Sequence, residues 1–169
     1  MPAAKLEEAT ASDGLPYQIY VQRGLLTLSG ENSVDYHDCF NWFRMLIEQY
    51  RIYTLKIGYD RYSSQYLVQD MKEYGFHMDD VFQGTNLSPI LTEFEGMAKD
   101  RALNIGDNDL LKVHFLNCAL KTEAETRKKR MIKLNQTAHI DGAAAVIDAL
   151  TVRSKYWTEI GAQLKNEGN

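Results

Sequence analysis

Residues 57–65 constrain the fold more than any other part of this sequence. The apolar run at 53–58 is typical of a buried strand, and Asp60 follows it closely. Apolar residues then recur at helical spacing, and we predict a helix over 64–74, capped by Ser64, that stops at Gly75. A strand that leads through a carboxylate into a helix places Asp60 at the edge where open α/β sheets hold their functional sites.

Strands and helices alternate along the rest of the chain. We predict further strands at 17–21, 25–28, 78–83 and 131–134. Helices are predicted at 36–50, 89–101, 109–120 and 139–164. Ser33 or Asp35 is expected to cap the first of these helices, and Ser88 the second, with Pro89 in its first turn. The charged stretch 121–138 is interpreted as a hairpin or loop, and the alternation indicates an α/β sheet covered by helices.

The composition is that of an ordinary globular protein. The 169 residues are 44% hydrophobic, enough for one domain with a full core. The net charge of −4 argues against a protein held to DNA by overall charge alone, although it leaves room for a local basic groove. No apolar run reaches the ~20 residues of a membrane span, so we expect no membrane association. Cys39 and Cys118 are interpreted as reduced core thiols of an intracellular protein.

Two acids far apart in sequence are the candidate catalytic and metal-binding residues. Asp60 on a stiff strand is a candidate ligand for Mg²⁺, which prefers carboxylate oxygens, or it caps the following helix. Asp141 lies in the first turn of a long apolar helix, where the helix dipole alone favours a negative charge by ~0.3–1 kcal/mol. Gly142 would let this helix approach the sheet closely and bring Asp141 near the strand ends. Two acids on rigid elements are what a hard-metal nuclease site needs.

Other polar residues are weaker candidates. Asp148 lies about 10 Å along the helix from Asp141, at ~1.5 Å per residue, and is interpreted as polar surface. His139 could reach the site, but a lone histidine at a helix start is more often a cap or a surface residue. The cationic residues within 121–133 are interpreted in one of two ways: they lie in a solvated loop, or they contact DNA phosphates. These candidate DNA contacts are Lys121, Arg127, Lys128, Lys129, Arg130 and Lys133.

Several well-known motifs are absent from the sequence. It has no G-x-x-x-x-G-K-[ST] phosphate loop, no G-x-G-x-x-G and no G-x-S-x-G, so nucleotide hydrolysis and serine hydrolysis have no motif support within this chain. The four histidines show no paired zinc spacing.

An ordered series of short motifs resembles the C-terminal nuclease domain of phage terminase large subunits. The motifs are Ile57-Gly58-Tyr59-Asp60-Arg61-Tyr62, Phe82-Gln83-Gly84 followed by Leu87-Ser88-Pro89, Asn117 with Lys121, Lys133 followed by Ile140-Asp141-Gly142, and Ala145-Val146-Ile147-Asp148-Ala149-Leu150. Each motif is weak alone, but the ordered set is fairly specific and covers roughly residues 16–150.

The resemblance implies an RNase H-like mixed sheet flanked by helices and a metal-dependent endonuclease. Such an enzyme cuts concatemeric double-stranded DNA during packaging of a viral genome into a procapsid. It also implies two Mg²⁺ or Mn²⁺ ions, about 3.5–4 Å apart, with Asp60 and Asp141 among their ligands. The expected partners are double-stranded DNA, the terminase small subunit, the portal and the protein's own ATPase domain. The expected location is the host cytoplasm.

The sequence departs from the family pattern in two respects. The family carries a further aspartate on the first strand of the nuclease sheet, and Asp13, Asp35 and Asp38 do not follow an apolar strand. The ATPase motor with its phosphate loop is also absent. We therefore expect a polar lead-in at 1–16, a truncated nuclease domain at 17–165 that lacks its first strands, and a tail at 166–169. Cleavage is expected to be weak or absent, and an open sheet edge is expected to favour self-association.

Two alternative functions remain open from the sequence. A non-catalytic remnant would only dock on a portal, a motor domain or DNA, and would bind no Mn²⁺ at millimolar concentration. Another RNase H-like nuclease, such as a junction resolvase, would bind junctions specifically.

Overall fold

The computed structural model describes residues 1–60, Tyr62 and 65–166. Its helices are α1 (Leu6–Asp13), α2 (Tyr17–Gln22), α3 (Tyr36–Glu48), α4 (Gln65–Tyr74), α5 (Ser88–Lys99), α6 (Asp109–Leu116), α7 (Asp141–Lys155) and α8 (Trp157–Asn166). Its strands are β1 (Ile57–Asp60), β2 (Met78–Val81), β3 (Cys118–Thr122) and β4 (Lys129–Lys133). The predicted cap Ser64 and most of the predicted tail lie outside the described residues. None of the described helices is long and apolar enough to cross a membrane.

The described strands form two small sheets. β1 pairs in parallel with β2, and Ile57 lies opposite Met78. β3 and β4 form an antiparallel hairpin in which Lys121 lies opposite Arg130. Helix α7 packs against β1, β2, α5 and α6, so it links the parallel sheet to two further helices. This mixture of parallel and antiparallel pairs with covering helices is the predicted α/β class.

Two clusters of buried side chains form the core. The larger lies between α7, α5 and the sheets, and it consists of Val81, Leu87, Leu91, Ile147 and Val152. The smaller joins the N-terminal helices to α6 through Tyr17, Tyr20 and Leu110. Met1, Leu6 and Ala9 from the predicted lead-in pack against this second cluster, although the domain boundaries themselves stay a prediction.

Helix α3 confirms the helix that was predicted over 36–50. Aromatic side chains attach it to the rest of the protein. The Asp35 carboxylate accepts the backbone N–H of His37, which is the predicted cap. The ring of Phe40 meets Tyr74 edge-on at 5.4 Å, and Phe43 meets Phe76 at 5.8 Å. No residue of α3 is fully buried, so this helix lies at the periphery.

The predictions of strands at 17–21 and 25–28 are wrong. Residues 17–21 lie in α2, where Tyr17 and Tyr20 are both buried, and their spacing of three residues puts them on one helical face. Residues 25–28 form no strand, because Leu25 and Leu26 fold back onto the same cluster and their amides bond to the Tyr20 carbonyl. Short apolar runs do not distinguish a strand from a buried helical turn.

Several predicted boundaries also move. β1 spans Ile57–Asp60 rather than 53–58, because pairing with β2 begins only at Ile57 and Tyr53 is exposed. Helix α6 ends at Leu116 because the chain enters the hairpin, with the Asn117 carbonyl accepting from Leu134. The predicted helix over 139–164 is divided at Tyr156, whose ring packs on the larger core cluster.

Two single-residue predictions are corrected as well. Ser88 does not cap α5, because it is the first helical residue and its hydroxyl accepts the backbone N–H of Lys129 at 2.9 Å. Pro89 does occupy the first turn. Cys39, on the peripheral helix α3, is exposed, and Cys118 is only half-buried, so neither is a core thiol. Both are free thiols.

Candidate functional site

Asp60 lies where the sequence predicts it, at the C-terminal end of a strand. It is the last residue of β1 and faces Val81 of β2. Its Oδ1 atom accepts the backbone N–H of Tyr62 at 3.1 Å. This local bond is the kind that the capping alternative anticipates, but a carboxylate has lone pairs for further partners. Among the described residues, the strand and the hydrogen bond from Tyr62 therefore hold Asp60 in direction.

Asp141 is the first residue of α7. Its side chain is 81% exposed, and its Oδ2 atom lies 3.6 Å from Nδ1 of His139. Gly142 lets α7 approach helix α6 closely, rather than the sheet as the sequence predicts; the close approach of α7 to the sheet is at Gly58 instead. A Cβ on Gly142 would lie 2.8 Å from Cδ1 of Leu111, closer than atoms pack. Asp141 is thus an exposed carboxylate at a helix start that is pressed against α6.

Asp60 and Asp141 line the same cleft, which has a volume of about 660 Å³. Side chains from β1, the segment after β2, the hairpin and α7 converge there. The charged and amide residues at this cleft are Asp60, Gln83, Glu123, Arg130, Asp141 and Asp148. The fold therefore brings together two acids that lie 81 residues apart in the chain.

Asp148 is the residue that the sequence interpretation missed. It is buried, with 8% of its surface exposed, so the prediction of polar surface is wrong. Its Oδ1 atom accepts a hydrogen bond from Nε2 of Gln83, which joins α7 to the end of β2. Burial raises the pKa of Asp148 to about 6, the Gln83 bond partly offsets this, and the negative charge of Asp60 raises it further. The sequence carried only a weak signal: Ala144 and Val152, four residues before and after Asp148, put apolar residues on its helical face, but they do not show what covers that face.

A mutation at Asp148 should change stability in a pH-dependent way. Because the folded pKa lies above the ordinary 3.8, the contribution of the protonated acid is complete below pH ~4 and is lost as the pH rises through ~6. Asp148→Asn keeps the acceptor for Gln83 but carries no charge, and we expect it to raise the free energy of unfolding by about 1–2 kcal/mol at pH 7. Urea denaturation at pH 7 and pH 4 measures both values.

The matched control is Asp70→Asn on the exposed side of α4, which should change the free energy of unfolding by less than about 0.5 kcal/mol at either pH. A stabilisation by Asp148→Asn that is equal at pH 4 and pH 7 would contradict the assigned role of the buried charge.

The predicted DNA-contacting cations fall into two groups. Lys129 is engaged inside the protein, because its Nζ lies 2.5 Å from Oε2 of Glu95 and only 21% of its side chain is exposed. The salt bridges from Lys129 and from Lys99 lower the pKa of Glu95 to about 2. The remaining candidates are exposed on the hairpin and its ends, and they are Lys121, Arg127, Lys128, Arg130 and Lys133. Among these, Arg130 lines the cleft.

The cleft offers the type of donor that a hard divalent cation prefers. Its carboxylates supply oxygen ligands, and Asp141 is open to solvent. Within the described ranges, no group of three or more His, Cys, Asp or Glu side chains is arranged to hold an ion. Protein-bound Mg²⁺ is often held by only one or two carboxylates and completes its shell with water and ligand phosphates. Asp60 and Asp141 therefore fit as part of a coordination sphere.

Comparison with known families decides the class of this protein. Residues 1–155 match the family model described as the terminase large subunit, endonuclease domain. The chain belongs to this family.

A relative and a solved structure agree with the family assignment. Over 163 residues the chain is 24% identical to the terminase large subunit of Enterobacteria phage HK97, a match that covers 95% of this chain and 32% of that protein. The crystal structure of the HK97 bacteriophage large terminase has a TM-score of 0.78 at 23% identity over 89% of this chain and 31% of that chain. The chain thus spans about a third of the relative's length. The structural likeness confirms the predicted RNase H-like fold.

Proposed function

We propose that this terminase nuclease domain is a metal-dependent endonuclease that cuts concatemeric double-stranded DNA during genome packaging in the host cytoplasm. The observation that carries the proposal is that Asp60 and Asp141 line one cleft open to solvent. Family membership supports the endonuclease class. It also favours the terminase role over the alternative of a junction resolvase.

The residues of the cleft have distinct proposed roles. Asp60 and Asp141 would hold Mg²⁺ or Mn²⁺, and the bound ions would activate water and stabilise the leaving oxygen of an in-line displacement. Arg130, on the same cleft, would contact the phosphate of the DNA backbone, and the exposed hairpin cations would extend this contact. Lys129 is a weaker candidate for this role, because Glu95 holds its ammonium group in a salt bridge.

The proposed partners follow from the same role. They are double-stranded DNA, the terminase small subunit, the portal and an ATPase motor domain of the same protein. We retain self-association as a further proposal, since β1 pairs only with β2 within the described residues and a free strand edge favours pairing with another chain.

Plasmid nicking with Mn²⁺ or Mg²⁺ tests the proposed activity. We expect Asp60→Asn and Asp141→Asn each to reduce the nicking rate by at least about 100-fold, because each removes a charged ligand from the cleft. Asn at position 60 keeps an oxygen that can accept from Tyr62, so the fold should be retained. Asp100→Asn, at the exposed end of α5, is the control and should leave the rate unchanged.

Two outcomes would reject parts of this proposal. Nicking that survives Asp60→Asn would reject the assigned site. A chain that neither nicks DNA nor binds Mn²⁺ at millimolar concentration would instead support the alternative of a non-catalytic docking module.

A further inference from the structure

Helix α6 holds the backbone on both sides of Asp141. On one side, Nδ2 of Asn117 donates a hydrogen bond to the carbonyl oxygen of His139 at 3.1 Å. On the other side, Nδ1 of His114 accepts the backbone N–H of Gly142 at 2.8 Å. Both donor and acceptor side chains come from the end of one helix, so Asp141 lies in a segment that is fixed at two points.

The bond from Gly142 replaces a missing helix cap. The residue before α7, Ile140, has no side chain that caps the helix. The first N–H groups of a helix have no partner within the helix and need one from elsewhere. His114 supplies this partner from a neighbouring helix. Without it, the first turn, which carries Asp141, would be expected to fray.

Residue size at position 142 makes this arrangement possible. A Cβ at Gly142 would lie 2.9 Å from Nδ1 of His114, which is too close for the hydrogen bond to form in its present geometry. Half-burial of the His114 ring lowers its pKa, which favours the neutral form that can accept at Nδ1. Glycine at 142 and histidine at 114 are therefore matched to each other.

We propose that His114 and Asn117 are positioning residues that fix the direction of the Asp141 carboxylate in the cleft. This role rests on the proposed function, in which Asp141 is a metal ligand. Asp141 itself is 81% exposed and lies 3.6 Å from His139, so its own side chain has little packing to orient it. The two bonds from α6 to the backbone supply the order that the side chain lacks.

Two measurements on three variants test the positioning role. His114→Phe keeps a ring but removes the acceptor, and Asn117→Leu keeps the approximate shape but removes the donor. His114→Asn restores an acceptor oxygen close to the position of Nδ1. The first measurement is the ¹⁵N order parameter of the Asp141 and Gly142 amides. The second is the concentration of Mn²⁺ that broadens the amide signals of β1 and α7 to half intensity.

The expected results separate positioning from general stability. In His114→Phe and Asn117→Leu, the order parameters at 141 and 142 should fall from about 0.85 toward 0.6, while those in the middle of α7 stay unchanged. The half-broadening concentration of Mn²⁺ should rise about 10-fold or more, and His114→Asn should recover most of the loss. His77→Phe, at an exposed histidine, is the matched control and should change neither value.

Different results would contradict the positioning role and the proposed function. Order parameters at 141 and 142 that remain at the original values in both variants would overturn the positioning role. An unsubstituted chain that shows no saturable Mn²⁺ broadening around Asp60 and Asp141 would instead contradict the proposed function.

Discussion

Ile147→Ala is expected to lower the free energy of unfolding by about 2–5 kcal/mol, because it removes buried methyl and methylene groups from the centre of the larger core cluster. Ile147 is only 1% exposed and lies on α7, the helix that carries Asp141 and Asp148. It borders an apolar cavity of about 320 Å³, so the deletion enlarges a space that is already present. Urea denaturation followed by circular dichroism measures the change.

The control for this prediction is the same substitution at an exposed isoleucine. Ile52 is 52% exposed, and Ile52→Ala should change the free energy of unfolding by less than about 0.5 kcal/mol. A loss below about 1 kcal/mol for Ile147→Ala would mean that α7 is not packed on the sheet as described.

Gly58→Ala is expected to destabilise the protein by about 1–3 kcal/mol through overpacking. A Cβ at Gly58 would lie 2.7 Å from the backbone oxygen of Asp148 and 3.2 Å from a methyl carbon of Val152. The backbone of α7 cannot yield as a flexible side chain would, so helix and strand must separate. We expect this shift to change the spacing of Asp60 and Asp141 and to reduce Mn²⁺ affinity as well.

A second glycine provides an opposite control for this substitution. Gly96 lies inside α5, and a Cβ there would meet nothing within 4 Å. Because alanine is the better helix former, Gly96→Ala should stabilise the protein by about 0.5–1 kcal/mol. Thermal and chemical denaturation of both variants should therefore give changes of opposite sign. Equal stability of Gly58→Ala and the original chain would contradict the close approach of α7 to β1.

The sequence predicts the central part of the fold because local signals and tertiary packing agree there. The α4 helix stops at Gly75, which has a φ of 111° that favours glycine. The Asp35 cap and Pro89 in the first turn of α5 are likewise set by neighbouring residues. Local chemistry of this kind can be read from the chain without knowledge of distant contacts.

The N-terminal segment could not be predicted in the same way. Tyr17 and Tyr20 share one buried cluster with Leu110, which is about 90 residues away in the chain, and a helix puts both rings on the face toward it. At the cleft, the positions of Asp60 and Asp141 follow from their places at element ends. The burial of Asp148 and the salt bridge of Lys129 depend on α7 and α5 packing against the sheets, and single-sequence patterns do not encode those distances.

Helix α6 contacts both the N-terminal core cluster and the segment around Asp141. Leu110, near its start, belongs to the smaller core cluster with Tyr17 and Tyr20. His114 and Asn117, at its end, restrain the backbone beside Asp141. A fluctuation that loosens Tyr17 and Tyr20 is therefore expected to relax the restraints on the Asp141 carboxylate as well, because Tyr17, His114 and Asp141 line one cavity. We therefore expect the order of the first turn of α7 to depend on the docking of the N-terminal helices, whose residues Met1, Lys5 and Tyr17 line that cavity with Asp141.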